Sequence, residues 1–128
     1  MIRVVIAEDD RSVAMTLSRA MDSLGYHPVV CSDGQRALYA IEDNPDTRLL
    51  ITDVQMPNMD GRDLVQHLRD SDEFRNLPAI IVSAVVGVSE ISHLLDYGNA
   101  YFLGKPVNIE DLKSHARSLV EHGQATSR

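Results

Sequence analysis

At 128 residues the chain is near the commonest size for one domain and long enough to bury a core without disulfides or metal. Its 44% hydrophobic and 24% charged content excludes a disordered segment, and its one cysteine, Cys31, excludes an internal disulfide. A net charge of −7 without any run of Lys and Arg argues against a surface for nucleic acid or anionic membrane.

The first apolar run, Ile2–Ala7, is halted by Glu8, Asp9 and Asp10, too soon for a signal peptide or a membrane span, so a cytoplasmic chain is expected. It reads as a strand. Asp10 is first of all an N-cap for the helix that Val13, Ala14, Leu17, Ala20, Met21 and Leu24 spell out at steps of three and four, with Gly25 as its stop. A second strand runs over Pro28–Cys31, where Cys31 reads as a small buried apolar residue. Asp33 then opens a helix marked by Ala37, Leu38 and Ile41. A third strand spans Leu49–Thr52 and ends on Asp53, and the Asp60-Gly61 turn leads into a helix with Leu64, Val65 and Leu68. The fourth strand is Ala79–Val82; Ile91, Leu94 and Leu95 give a fourth helix ending at Gly98; the fifth strand is Ala100–Leu103. Asn108 caps a fifth helix through Ile109, Leu112, Ala116, Leu119 and Val120.

Strands without polar alternation are expected to be buried on both faces. Alternating with helices, they predict an α/β domain with a five-stranded parallel doubly wound sheet and five helices, because parallel neighbours need crossovers. One domain over residues 1–121 followed by a polar tail, 122–128, accounts for the chain.

Ligands of such sheets bind beyond the carboxyl ends of the strands. Those ends carry Glu8, Asp9 and Asp10, then Asp53, then Ser83 and Ala84, then Lys105 and Pro106. Carboxylates gathered on one rim raise one another's pKa unless cations intervene, and Mg²⁺ with Lys105 would answer that. Glu8, Asp9 and Asp53 are the hard oxygen donors Mg²⁺ prefers. A carboxylate such as Asp53 can attack phosphorus to give an acyl phosphate, with Lys105 and the metal stabilising the charge. Taken alone, Asp53 and Lys105 are equally well read as a structural ion pair; the surrounding acids favour chemistry. Ser83 could donate to a phosphate oxygen or simply bond to a turn. A cis bond before Pro106 would aim Lys105 along the rim. His27, His67, His93, His115 and His122 show no paired spacing for zinc, and no glycine-rich phosphate loop, GxGxxG or GxSxG is present.

In order, Glu8-Asp9, Asp53-x-x-Met56-Pro57 with Met59-Asp60-Gly61, Ser83-Ala84, Gly98 and Lys105-Pro106 resemble the receiver domain of two-component response regulators, from about Ile2 to Val120. The resemblance implies a flavodoxin-like receiver fold in which Asp53 accepts a phosphoryl group from a sensor histidine kinase or phosphotransfer protein. It implies Mg²⁺ held by Glu8, Asp9, Asp53 and the backbone carbonyl of Gln55. Lys105 would pair with the phosphate, while Ser83 and Phe102 would switch the surface of the fourth helix, fifth strand and fifth helix toward a downstream effector. Catalysis would be limited to the chain's own phosphorylation and dephosphorylation, and homodimerisation through that face is open by analogy.

The chain departs from the commonest pattern at Glu8, Ser83, Phe102, which lacks a tyrosine hydroxyl, and Asn99, where a small apolar residue is usual; Val85–Val88 is unusually apolar. The Met1 start favours a stand-alone regulator over a piece of a longer protein. Two other readings compete. A haloacid-dehalogenase-type phosphatase would carry its nucleophile after the first strand and an Asp two residues on, where this chain has Asp53 on the third strand and Gln55. A degenerate, binding-only receiver is disfavoured because every phosphorylation residue is present.

Overall fold

Each apolar run marked as a strand forms one. The computed structural model describes residues 1–84 and 99–122. Strands β1 (Arg3–Ala7), β2 (His27–Cys31), β3 (Leu49–Asp53), β4 (Ala79–Ser83) and β5 (Ala100–Gly104) pair in parallel in the order β2-β1-β3-β4-β5. Among the described residues there are four helices, α1 (Arg11–Ser23), α2 (Gly34–Asp43), α3 (Gly61–Arg69) and α4 (Ile109–His122). The helix expected to follow Asn108 is α4. The one expected through Ile91 to Gly98 lies outside the described residues, as do the loop Val85–Val88 and residues 123–128.

Helix starts are fixed locally. Asp10 Oδ1 accepts from the amides of Ser12 (2.9 Å) and Val13 (3.2 Å), Asp33 Oδ1 from Arg36 (2.8 Å), Asp60 Oδ1 from Asp63 (2.9 Å) and Asn108 Oδ1 from Asp111 (2.9 Å). Each such cap contributes about 1 kcal/mol and places a helix N-terminus beside the carboxyl end of the preceding strand. Gly25, at φ 83°, supplies the left-handed residue that ends α1.

Strand pleating then divides the core into two layers. Val5, Ala7, Leu50, Ala79 and Ile81 pack with α2 and α3 through Ala37, Leu38, Ile41, Leu64, Val65 and Leu68. Val4, Ile6, Leu49, Ile51, Ile80 and Val82 pack with α1 and α4 through Leu17, Met21, Leu112 and Leu119. A fully buried Leu or Ile here contributes about 1.5–3 kcal/mol. The expectation that all five strands are buried on both faces needs correction. β3 and β4 are buried throughout, whereas β2 and β5 close the sheet and leave residues such as Val30 and Tyr101 exposed. An edge position also explains how β2 accommodates Pro28, which has no amide hydrogen to give a further strand.

Candidate functional site

Consecutive strands go to opposite sides of β1, so the strand order reverses between β1 and β3, which is where such sheets bind ligands. Glu8 leaves β1 at this point, held by its amide donating to the Cys31 carbonyl at 3.0 Å. Asp53 closes β3 in register with Val82, which puts Ser83 one step further along the same rim. Lys105 follows β5, and its amide donates to the Ser83 carbonyl at 3.0 Å. The Lys105-Pro106 peptide is cis.

These elements bring four charged side chains together. Lys105 Nζ donates to Asp53 Oδ2 at 3.1 Å and lies 2.9 Å from Glu8 Oε1. The second contact is a charge pair, and the buried Glu8 Oε1 has no other polar partner among the described residues. Glu8 Oε2 accepts from the Asp10 amide at 3.1 Å, and Asp53 Oδ1 from the Val54 amide at 2.6 Å. Burial pushes the Glu8 carboxyl above its ordinary range; Lys105 and the Asp10 amide pull it down, and the Asp53 charge pushes it up again. Burial alone would lower Lys105, but the two carboxylates it touches prevail and raise it. One ammonium therefore serves two acids, and Asp9 stands beside them without joining the pair.

That imbalance is the test of whether a cation fits. Glu8, Asp9 and Asp53 each offer a carboxylate oxygen, all within 4.8 Å of one another, and the buried Glu8 Oε1 has only the shared Lys105 ammonium for a partner. An all-oxygen set of this kind suits Mg²⁺.

Of the other residues singled out in the sequence, Ser83 is buried at the rim, Gln55 is exposed in the loop directly after Asp53, and Ala84 is exposed. Phe102 is half-buried against the core layer of α2 and α3. Asp10 is a cap and takes no part in the charged group beyond its amide. Sequence reasoning gave Asp33 and Gly61 only local duties. In the structure Gly61 lies against the Asp53 backbone so closely that a Cβ would overlap the Asp53 carbonyl oxygen, and Gly34 lies as tightly against Met59. Asn58, at φ 69°, donates from Nδ2 to Asp33 Oδ2 at 2.7 Å. A residue that adopts left-handed backbone readily, with Asp60-Gly61 two positions on, was the available signal for that turn.

The five-stranded parallel sheet with acids and a lysine on its carboxyl rim defines a flavodoxin-like receiver fold. The chain belongs to the response regulator receiver domain family, whose pattern it matches over residues 4–117, and is the receiver domain of a two-component response regulator. It is 34% identical over 120 residues to the response regulator MprA of Mycolicibacterium vanbaalenii and 35% identical to that of Mycobacterium tuberculosis. Each match covers 93% of this chain and 50% of the relative, so the chain spans about half the length of these curated relatives. Among solved structures, the receiver domain of the Francisella response regulator 1452 superposes with a TM-score of 0.85 at 27% identity, covering 97% of this chain and 100% of that one. The receiver domain of a signal transduction histidine kinase from Syntrophus aciditrophicus gives 0.83 at 25% identity, covering 100% and 95%. No helix among the described residues is long and apolar enough to cross a membrane.

Proposed function

We propose that Asp53 is the phosphoryl acceptor of this receiver, using Mg²⁺ held by Glu8, Asp9, Asp53 and the Gln55 carbonyl. The observation that carries this is the shared lysine: Asp53 Oδ2 is paired with Lys105 at 3.1 Å inside a cluster of three carboxylates. A buried acid ending a strand has no structural need of two further acids, but an acid that must take on a phosphoryl group needs cations arranged around it beforehand.

The metal, when bound, supplies positive charge to the oxygens of the transferring phosphoryl. The chain's residues do the rest. The Asp53 carboxylate attacks phosphorus while the bond to the donor imidazole of a histidine kinase or phosphotransfer protein breaks, and the electron pair leaves with the imidazole nitrogen. The Val54 amide fixes one Asp53 oxygen and Lys105 the other, so the carboxylate cannot rotate away. Lys105 then holds a phosphoryl oxygen, and Ser83 donates its hydroxyl to another. Ser83 and Phe102 carry the change to β5 and α4, the face offered to a downstream effector or to a second copy. Catalysis is confined to the chain's own phosphorylation and dephosphorylation, in the cytoplasm, within residues 1–121, with 122–128 as a tail. Asp53 ends β3 and position 55 is Gln, so nothing favours the phosphatase alternative.

Intact-mass spectrometry after incubation with Mg²⁺ and acetyl phosphate tests this. A labile gain of one phosphoryl group in wild type and none in Asp53→Asn is expected. Equal labelling of Asp53→Asn, or no labelling of wild type, would overturn it.

A further inference from the structure

Asp33 is only 4% exposed, and its two oxygens do different work. Oδ1 caps α2 through the Arg36 amide at 2.8 Å, while Oδ2 accepts from Asn58 Nδ2 at 2.7 Å, 25 residues away in the loop that follows Asp53. Arg36 Nε is a further 3.7 Å from Oδ2 on an exposed side chain and adds little. Beside this pair the Gly34 amide donates to the Met59 carbonyl at 3.0 Å, and a Cβ on Gly34 would overlap that carbonyl oxygen. The turn before α2 and the loop before α3 thus lie backbone on backbone.

At its ends the loop is fixed by Val54 to Asp53 and by the Gly61 amide on the Val54 carbonyl at 2.7 Å. Its middle is held across to the neighbouring turn by Asn58 and Met59. Asn58 has φ 69°, where glycine is the default residue. A side chain there that reaches a buried carboxylate is spending conformational strain on a long-range contact.

We infer that the Asp33–Asn58 pair is a clasp that positions the loop carrying Gln55, and so sets the affinity of the site for Mg²⁺. Asp33 and Asn58 are positioning residues; neither touches the reacting atoms. The inference rests on the proposed function, because it assigns the loop a metal-facing carbonyl.

A polarity swap tests it. Asn58→Asp sets carboxylate against carboxylate and opens the clasp. Asp33→Asn with Asn58→Asp rebuilds one donor and one acceptor, keeps Oδ1 of residue 33 as the α2 cap, and leaves the net charge unchanged. Asn58→Gly keeps the backbone conformation and removes the amide. Mg²⁺ dissociation constants of the full chain, measured calorimetrically, should weaken about tenfold in Asn58→Asp and Asn58→Gly, in the range found when residues supporting a metal ligand are lost. The swap should recover most of that loss. The added charge of Asn58→Asp would by itself favour Mg²⁺, so weakening runs against simple electrostatics. Melting curves recorded alongside separate a clasp from mere stabilisation. Unchanged Mg²⁺ affinity in both single variants, or a folded double variant that recovers none of it, would overturn the inference while leaving the proposed function intact. Absence of Mg²⁺ binding by wild type would remove both.

Discussion

Replacing Glu8 by Gln should move stability and metal binding in opposite directions. The Glu8 side chain is completely buried, burial holds its carboxyl above the ordinary range, and Lys105 is already shared with Asp53. An acid whose folded-state pKa is raised contributes stability at low pH that is lost as pH rises from the unfolded value of 4.5 through the raised one. At neutral pH without metal, ionised Glu8 is therefore a liability. A neutral amide removes that burden and leaves Lys105 with Asp53, its one oxygen serving either the Asp10 amide or Lys105 where the carboxylate served both. Metal-free Glu8→Gln should melt at or above wild type and lose the stability decline above pH 4.5. With Mg²⁺ at about one hundred times the wild-type dissociation constant, wild type gains about 2.7 kcal/mol. A variant bound about a hundredfold more weakly gains only about 0.4 kcal/mol. The difference of about 2.3 kcal/mol is worth about 8 °C in a chain of this size. Differential scanning fluorimetry with EDTA or Mg²⁺ should show the two melting temperatures crossing. Equal loss in Glu8→Gln under both conditions would refute the reasoning and make Glu8 a structural residue.

Gly61→Ala should cost about 1–3 kcal/mol, since its Cβ meets the Asp53 carbonyl and, at 3.1 Å, Val54 Cα, backbone atoms that cannot rotate aside. Better helix propensity returns at most about 1 kcal/mol. Urea denaturation measures the balance, and acetyl phosphate labelling should slow because the Asp53 backbone is displaced. Asp33 is held below the usual carboxylate range chiefly by the Arg36 amide, against burial and with help from Asn58. Its contribution is present above 3.8 and is lost as pH falls through the lowered folded value. Asp33→Asn should therefore flatten the acid limb of stability against pH, read by circular dichroism.

What could be read from the chain was set by local physics. Val4 to Ala7 or Ile80 to Val82 are apolar without alternation because both faces of those strands are covered. Asp10, Asp33, Asp60 and Asn108 announce helices because each bonds to an amide two or three residues on. The rim residues were legible because topology alone carries strand ends to one place. The exposure of Val30 and Tyr101 was not, because edge position is a property of strand order rather than of composition. Nor was the use of Asn99, at φ 52°, whose side chain donates to the Asn76 carbonyl at 3.2 Å and whose own carbonyl accepts from Arg69 at 3.3 Å. Those partners lie 23 and 30 residues away, and burial leaves the Arg69 guanidinium lowered to about 10. The Asp33–Asn58 bond was hidden for the same reason.

The caps and the site share one electrostatic logic. Among the described residues four helices begin on the rim, and Asp10, Asp33 and Asp60 accept from N-terminal amides there with their carboxylates. At α2 the Arg36 amide, helped by Asn58, holds Asp33 below the usual carboxylate range against its burial. Glu8, Asp9 and Asp53 head no helix and have Lys105 as the cation among them. Where strand order reverses, three carboxylates thus gather around one shared ammonium. Adding a phosphoryl group to Asp53 brings about −1.5 to −2 further charge. On the proposed function, that charge is met by a metal and by Lys105 turning from Glu8 and Asp53 to the phosphoryl oxygens. Burial already disfavours the charged form of Glu8 without metal, so on the proposed function the reorganisation starts from a site with little to lose.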